Sequence, residues 1–366
     1  WQGLRRGRMR GGPTAAATGW RAFRPALNRV VLSTTVFLLP VGAYLAWRRA
    51  TFDRWVPNTS VAKNQQPPEP SDLARVGELV SYVGAPLVLL TVVALTLVLT
   101  RPLWWRVGLV ALLVPLGLAV TAYCVLNADW MSQYRFATPV WVLGALVGVL
   151  TTAEVFRRSR TAHRAWLAGG LALALTGSGA ALADSADSFR ARGDVTLCNV
   201  ADRSGRVFNA YADILGLERG SLLNPDLGGA ALTSRLELVD MAGLAEPRIA
   251  DLLAAGDGAG LRDYVFEEVR PTFIHSRAPW STANGLPADP RMARDYHQIY
   301  EHPRPGPSNG DWVRRDVVPD AATLAELREY AHTTMAPVDR ANKSGEWPRR
   351  QCGETLRPGQ TTVGLT

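Results

Sequence analysis

The sequence predicts an α-helical polytopic membrane bundle of five transmembrane helices, followed by a soluble extracytoplasmic α/β domain. Three observations carry this. All long apolar runs fall in residues 1–184, arginines cluster beside alternate runs, and beyond Asp184 the pattern changes to short strands and amphipathic helices. A mean hydropathy of +0.00 hides the division, because the two halves are suited to different solvents. With 366 residues, more than one folding unit is expected. The boundaries read as a cytoplasmic basic segment at 1–27, a transmembrane bundle at 28–184 and the α/β domain at 185–366.

The apolar runs are Val30 to Trp47, Leu79 to Thr100, Leu103 to Leu126, Phe136 to Phe156 and Ala165 to Ala183. Each approaches the roughly 20 residues that a helix needs to cross a hydrocarbon core. Charges within them are few, and Arg106 is close enough to a helix end to snorkel to the headgroups. Five consecutive helices with no polar face do not suit a soluble protein.

Basic residues in short loops favour the cytoplasmic side, and this orients the bundle. Residues 1–27 carry Arg5, Arg6, Arg8, Arg10, Arg21 and Arg24 with no acid. Arg101 marks the turn between the second and third runs, and Arg157, Arg158, Arg160 and Arg164 follow the fourth. Five crossings from an inside start place the 48–78 loop, the 127–135 loop and the tail outside, in a plasma (inner) membrane. Residues 1–184 hold 19 basic and 7 acidic groups, against 21 and 25 in the tail. The basic excess thus belongs to the membrane part, which argues for lipid and against nucleic acid as the partner.

The outer loop at 48–78 is too rich in proline to be helical throughout, and Ser71 and Asp72 are candidate caps for a short helix entering the membrane. In the tail, 194–200 and 235–240 read as strands by their β-branched and alternating apolar residues. Pro247 suits the first turn of a helix through Leu253, ended by Gly256, Gly258 and Gly260, and a second helix is expected from Leu261 to Val269. PTFIHS at 271–276 reads as another strand. Ordered loops are expected from Trp280 to Gly310, then a helix near Ala321 to His332. Cys198 and Cys352 bracket the tail in an oxidising compartment, so a disulfide is preferred to two free thiols. No CxxC or HExxH pattern supports a metal centre or a resident cofactor.

Four segments resemble a known family. PNTSVAK at 57–63 is similar to the PNT-x-x-AK loop, and ADWMSQYRFATP at 128–139 to the GDWM-x-x-x-RF-x-x-P segment, of bacterial C-type integral-membrane glycosyltransferases related to the terminal arabinofuranosyltransferases and the flagellar motor control proteins. VDMAGLAEPRIA at 239–250 resembles the D-x-x-GL-x-D-x-x-IA segment of their periplasmic domains, and a P-x-x-IH strand follows at 271–275. Ala128 departs from the family's usual glycine. The resemblance implies an enzyme moving a sugar, arabinofuranose by analogy, from a polyprenyl-phosphate donor to a cell-envelope glycan outside the cytoplasm. It also implies a base in an acidic outer loop that has no counterpart here and is expected upstream of Trp1.

Such chemistry needs a base for the acceptor hydroxyl and cations for the phosphate leaving group. Position alone favours interfacial snorkelling for Arg54 and Arg135, whereas the resemblance assigns Lys63 and Arg135 to the donor phosphate. Asp129 is the candidate acid of the second loop, as an orienting group first and a catalytic one second. Asn58, Trp130, Tyr134, His275 and Trp280 are candidate sugar or acceptor contacts. Trp130 and Tyr134 also fit an ordinary interfacial aromatic belt, and a histidine ending a strand often has a purely structural role. A different class of function remains open, a non-catalytic membrane-anchored module that binds cell-wall glycan or a partner protein.

Overall fold

The computed structural model describes residues 15–63, 67–100, 103–128, 133–191, 197–278, 280–302 and 309–344. The chain divides into two compact units, Trp1–Pro57 and Asn58–Thr366. Helix α1 (Ala15–Phe52) dominates the first. Its apolar side chains from Leu27 onward face outward, with Val36 and Leu39 exposed by 65% and 68%. Water would penalise such a surface, whereas lipid would not.

The second unit begins with a short helix α2 (Asn58–Ala62) and a tight turn at Pro70–Ala74. Helices α3 (Arg75–Val83), α4 (Ala85–Leu99), α5 (Leu103–Val125), α6 (Thr138–Arg158) and α7 (Thr161–Ala191) follow. Among the described residues four helices, α1, α5, α6 and α7, are long and apolar enough to cross a membrane, or five if the bent pair formed by 70–83 and α4 is one span. Leu118, Val149 and Leu173 turn outward from the bundle. Inside it, Gly148 of α6 lies against Thr91 of α4, a contact between small residues of the kind that suits helices packing in lipid.

The second apolar run is not one straight helix. It bends by 104° at Gly84, whose φ of 98° belongs to glycine, and Pro86 restarts the chain as α4. Ser178 of α7 donates to the Val83 carbonyl that the break leaves open, at 2.5 Å. The cap before α3 also differs in detail from expectation. Glu69 is the N-cap, and Asp72 reaches back to accept its backbone N–H at 2.8 Å. Glu154, buried in the last turns of α6, is held by Arg157 through two bonds of 2.9 Å and by Arg158.

The rest of the unit is an α/β sandwich. Its elements are α8 (Leu197–Ala201), α9 (Val207–Ile214), β1 (Ser221–Asn224), α10 (Gly228–Thr233), β2 (Glu237–Asp240), α11 (Pro247–Ala255), α12 (Gly258–Asp263), β3 (Phe273–Ser276), α13 (Trp280–Ala283), α14 (Pro290–Asp295), β4 (Tyr296–Glu301), β5 (Gly310–Arg314) and α15 (Ala321–Ser344). The sheet order is β2-β1-β3-β5-β4, parallel among the first three and antiparallel at β3–β5 and β5–β4. Strand alternation supplies both layers of core. Leu222, Phe273 and Val313 pack with Phe208 and Tyr211 of α9 and Leu327 of α15. Leu223, Ile274 and Trp312 pack with Ile249 of α11 and Leu261 of α12 on the other face.

Strand β2 falls within the expected 235–240, β3 within 271–276, and α11 starts at Pro247 and is closed by Gly256 at φ 66°. The expected strand at 194–200 is corrected: its described part is α8, which continues through a π-helical turn at 202–206 into α9. Val200 and Ala201 are buried there beside α10, so tertiary packing outweighs the β-branched composition. The loops expected between Trp280 and Gly310 instead include β4 and the start of β5.

Candidate functional site

A cleft of about 600 Å³ opens at one end of the helical bundle. Arg75, Glu78, Ser81 and Tyr82 of α3, Tyr123 near the end of α5, and Ala181 and Ser185 of α7 line it, together with Ala128, Gln133, Tyr134 and Phe136 of the 127–136 segment. The bend at Gly84 creates this cleft: it turns α3 across the bundle, so that Glu78 and Tyr82, one turn apart, share a face toward α5 and α7.

Its polar groups are held by each other. The Tyr123 hydroxyl donates to Glu78 Oε2 at 2.7 Å. The Arg75 guanidinium lies 4.6 Å from the Tyr123 ring and donates to the carbonyls of Cys124 at 3.0 Å and Leu126 at 2.5 Å, closing the end of α5. Gln133 accepts from the Tyr82 hydroxyl at 2.9 Å and the Ser185 hydroxyl at 3.1 Å, and donates to the Ser185 carbonyl at 3.3 Å. Gln133 and Tyr134 both have positive φ, 68° and 47°. Such a backbone persists only where its surroundings over-determine it, and the Gln133 bonds and the Tyr82–Tyr134 edge-on contact at 5.2 Å do so.

Two sequence-predicted cations, neither of which lines the cleft, approach one of its lining residues, Phe136. Lys63 Nζ lies 4.8 Å and the Arg135 guanidinium 5.1 Å from the centroid of the same ring, Phe136. Both side chains are on exposed residues. The loops that carry them are joined by Asn127, whose Nδ2 donates to the Lys63 carbonyl at 2.6 Å. Asn58 is half-buried in the first turn of α2. Tyr134 lines the cleft, whereas Asp129 and Trp130 lie outside the described residues.

The tail candidates do not line the cleft. His275 is only 3% exposed, with Nδ1 2.9 Å from Asp311 Oδ1. Arg203 donates to both Asp311 oxygens at 2.9 Å, and the Tyr211 hydroxyl adds a bond of 3.0 Å. Burial pushes the Asp311 pKa up, but the Arg203 charge and the bonds from His275 and Arg203 outweigh it and bring it down to about 2. Burial, aided by the Arg203 charge, lowers that of His275, and the neutral imidazole then donates from Nδ1 to the carboxylate. Burial raises Tyr211 well above the ordinary phenol range. This arrangement satisfies His275 within the sheet and leaves it little surface for a sugar. Trp280 is 38% exposed at the start of α13. Cys352 lies outside the described residues, as does the Cys198 side chain, while Cys124 is a buried free thiol.

Sequence reasoning missed Asn127, Glu78, Tyr82, Gln133 and Ser185. Gln133 and Phe136 lay inside a quoted motif but without a role. No local pattern could have grouped Tyr82 with Ser185, since only the bend at Gly84 brings them together. Comparison of the chain with protein-family models, curated proteins and solved structures finds no match.

Proposed function

We propose that this chain forms the donor-phosphate end of an integral plasma-membrane glycosyltransferase, which moves a sugar from a polyprenyl-phosphate carrier to a cell-envelope glycan. The observation that carries the reading is the convergence of Lys63 and Arg135 on Phe136, whose residue lines a polar, tyrosine-rich cleft. Two cations gathered at one ring raise the local positive potential, which favours a phosphate there. As the sugar–oxygen bond breaks, negative charge grows on the phosphate, and fixed cations lower the barrier most at that point. The apolar helices beneath the cleft suit the prenyl chain, and the tyrosines supply ring faces of the kind on which sugars stack.

In this reading α3 and α4 together make one crossing. The N-terminal basic segment is cytoplasmic, and the cleft and α/β domain face outside. A reporter fused after Thr366 is then active only on the outer side, and cytoplasmic activity would remove the glycan reading along with the orientation.

The donor site is tested with the protein in lipid nanodiscs, comparing undecaprenyl phosphate with undecaprenol as competing probes. The phosphate should bind and the alcohol should not, with the difference lost when Lys63 and Arg135 are both replaced by alanine. Equal binding of the two lipids would leave a membrane-anchored module without a phosphate site.

A further inference from the structure

Helix α2 has five residues, too few to be stable alone, so neighbouring structure must hold it. That structure is the α/β domain, because α2 packs on α11. One close approach is at the turn joining β2 to α11. Gly243 has φ 71°, and a Cβ placed on it would lie 2.9 Å from the Ala250 backbone and 3.3 Å from Ala62 Cβ. Only glycine allows turn, helix and loop to lie this close. Asp240, the last residue of β2, secures the turn by accepting the N–H groups of Ala242 at 2.9 Å and Ala245 at 2.7 Å. Lys63 follows Ala62 directly, and Asn127 grips its carbonyl from the other side.

We propose that the α/β domain is a clamp that positions Lys63: the Gly243 turn and α11 hold α2 from one side, Asn127 holds it from the other, and the ammonium is thereby fixed over Phe136 beside Arg135. Lys63 is one of only two lysines in the chain, and a lysine stem is long and flexible. Fixing its backbone at two points limits the volume its charge explores and lowers the ordering cost of gripping a phosphate. Gly243 and Ala62 are positioning residues in this scheme. The soluble domain acts on the membrane site without supplying a group that touches the lipid.

The proposal rests on the donor-phosphate reading, and the test separates the two. Gly243→Ala crowds the turn, and Ala62→Leu crowds the same contact from the α2 side without altering the domain's own backbone. Hydrogen exchange of the 58–63 peptide reports the clamp, exchange of the β3 amides reports whether the domain stays folded, and undecaprenyl phosphate in nanodiscs reports the site. Both variants should speed exchange at 58–63 by about ten- to a hundredfold with β3 still protected. Both should weaken phosphate binding as far as Lys63→Ala does, with no further loss when either is combined with it. Faster exchange with undiminished binding, in these variants and in Lys63→Ala alike, would keep the clamp and overturn its link to phosphate. Unchanged exchange at 58–63 in Ala62→Leu would overturn the clamp itself.

Discussion

Two groups of charge in the second unit use the same chemistry to opposite ends. Against the sheet, Arg203, His275 and Tyr211 are buried and all bond to the buried carboxylate of Asp311. Beside the cleft, Lys63 and Arg135 are exposed, and the contact common to both is the Phe136 ring. Burial decides the difference. A charge taken out of water must be met by its opposite at once, whereas an exposed one is still solvated and can exchange its partners.

The largest expected effect breaks the buried group. Asp311→Ala leaves Arg203 buried without its carboxylate and His275 without its acceptor, and should cost the α/β domain about 3–5 kcal/mol. Hydrogen exchange of the β3 and β5 amides measures it. Lys63→Ala should change the same amides by less than about 0.5 kcal/mol. Similar losses for both would mean that the cleft cations are structural too.

A disulfide between Cys198 and Cys352 would add to the domain's stability from a different source, roughly 3–5 kcal/mol through loop closure, less any strain. Non-reducing mass spectrometry of tail peptides should show the pair joined. Two freely alkylated thiols would leave the packed sandwich to stand without it.

Next in size are the cations themselves. Lys63→Ala and Arg135→Ala should each weaken undecaprenyl phosphate binding by about ten- to a hundredfold, the worth of a charge-assisted contact near 1.5–3 kcal/mol. Because both would grip one phosphate, the double variant should depart from the sum of the singles. Arg54→Ala serves as the control, assigned to headgroup snorkelling, with a small effect. Equal, small and additive losses at all three would make them interface anchors.

Legibility in the sequence followed the range of the interactions. The membrane runs are decided by local hydropathy and stood out plainly, as did α11 with its Pro247 start and Gly256 stop. The break at Gly84 was hidden inside an unbroken apolar run, since one glycine and one proline hardly alter a hydropathy average. Strand β1 is only SLLN, too short for any period to declare itself, and β4 is paired by β5 across a segment that read as loop. At the site, three segments singled out from the sequence lie together: 57–63 touches 127–136 through Asn127 and Phe136, and 239–250 through Gly243. What the sequence withheld was the part that depends on tertiary structure, namely the cleft walls contributed by α3 and α7.

The smallest effect concerns pH and sharpens the comparison from the buried side. His275 has its pKa lowered in the folded domain, by burial first and by the Arg203 charge next. The unfolded chain therefore takes up a proton near pH 6.5 that the folded domain does not, and stability falls as pH drops below that value. The slope from one such histidine cannot exceed about 1.4 kcal/mol per pH unit, so at most about 1 kcal/mol should be lost between pH 6.5 and 5.5. Asp311, held at about 2, adds a second loss of the same sign only below about pH 4, where unfolded carboxylates protonate. His297 is also lowered, by burial and by Arg315 and Arg328, and contributes in the same direction. His275→Asn keeps a donor for Asp311 but cannot titrate. Its β3 and β5 amides should show a shallower dependence between pH 7 and 5 than the wild type, and adding His297→Gln should flatten the remainder. An unaltered slope in His275→Asn would mean that the imidazole takes up its proton inside the fold, and that the buried cluster is less fully neutralised than its geometry describes.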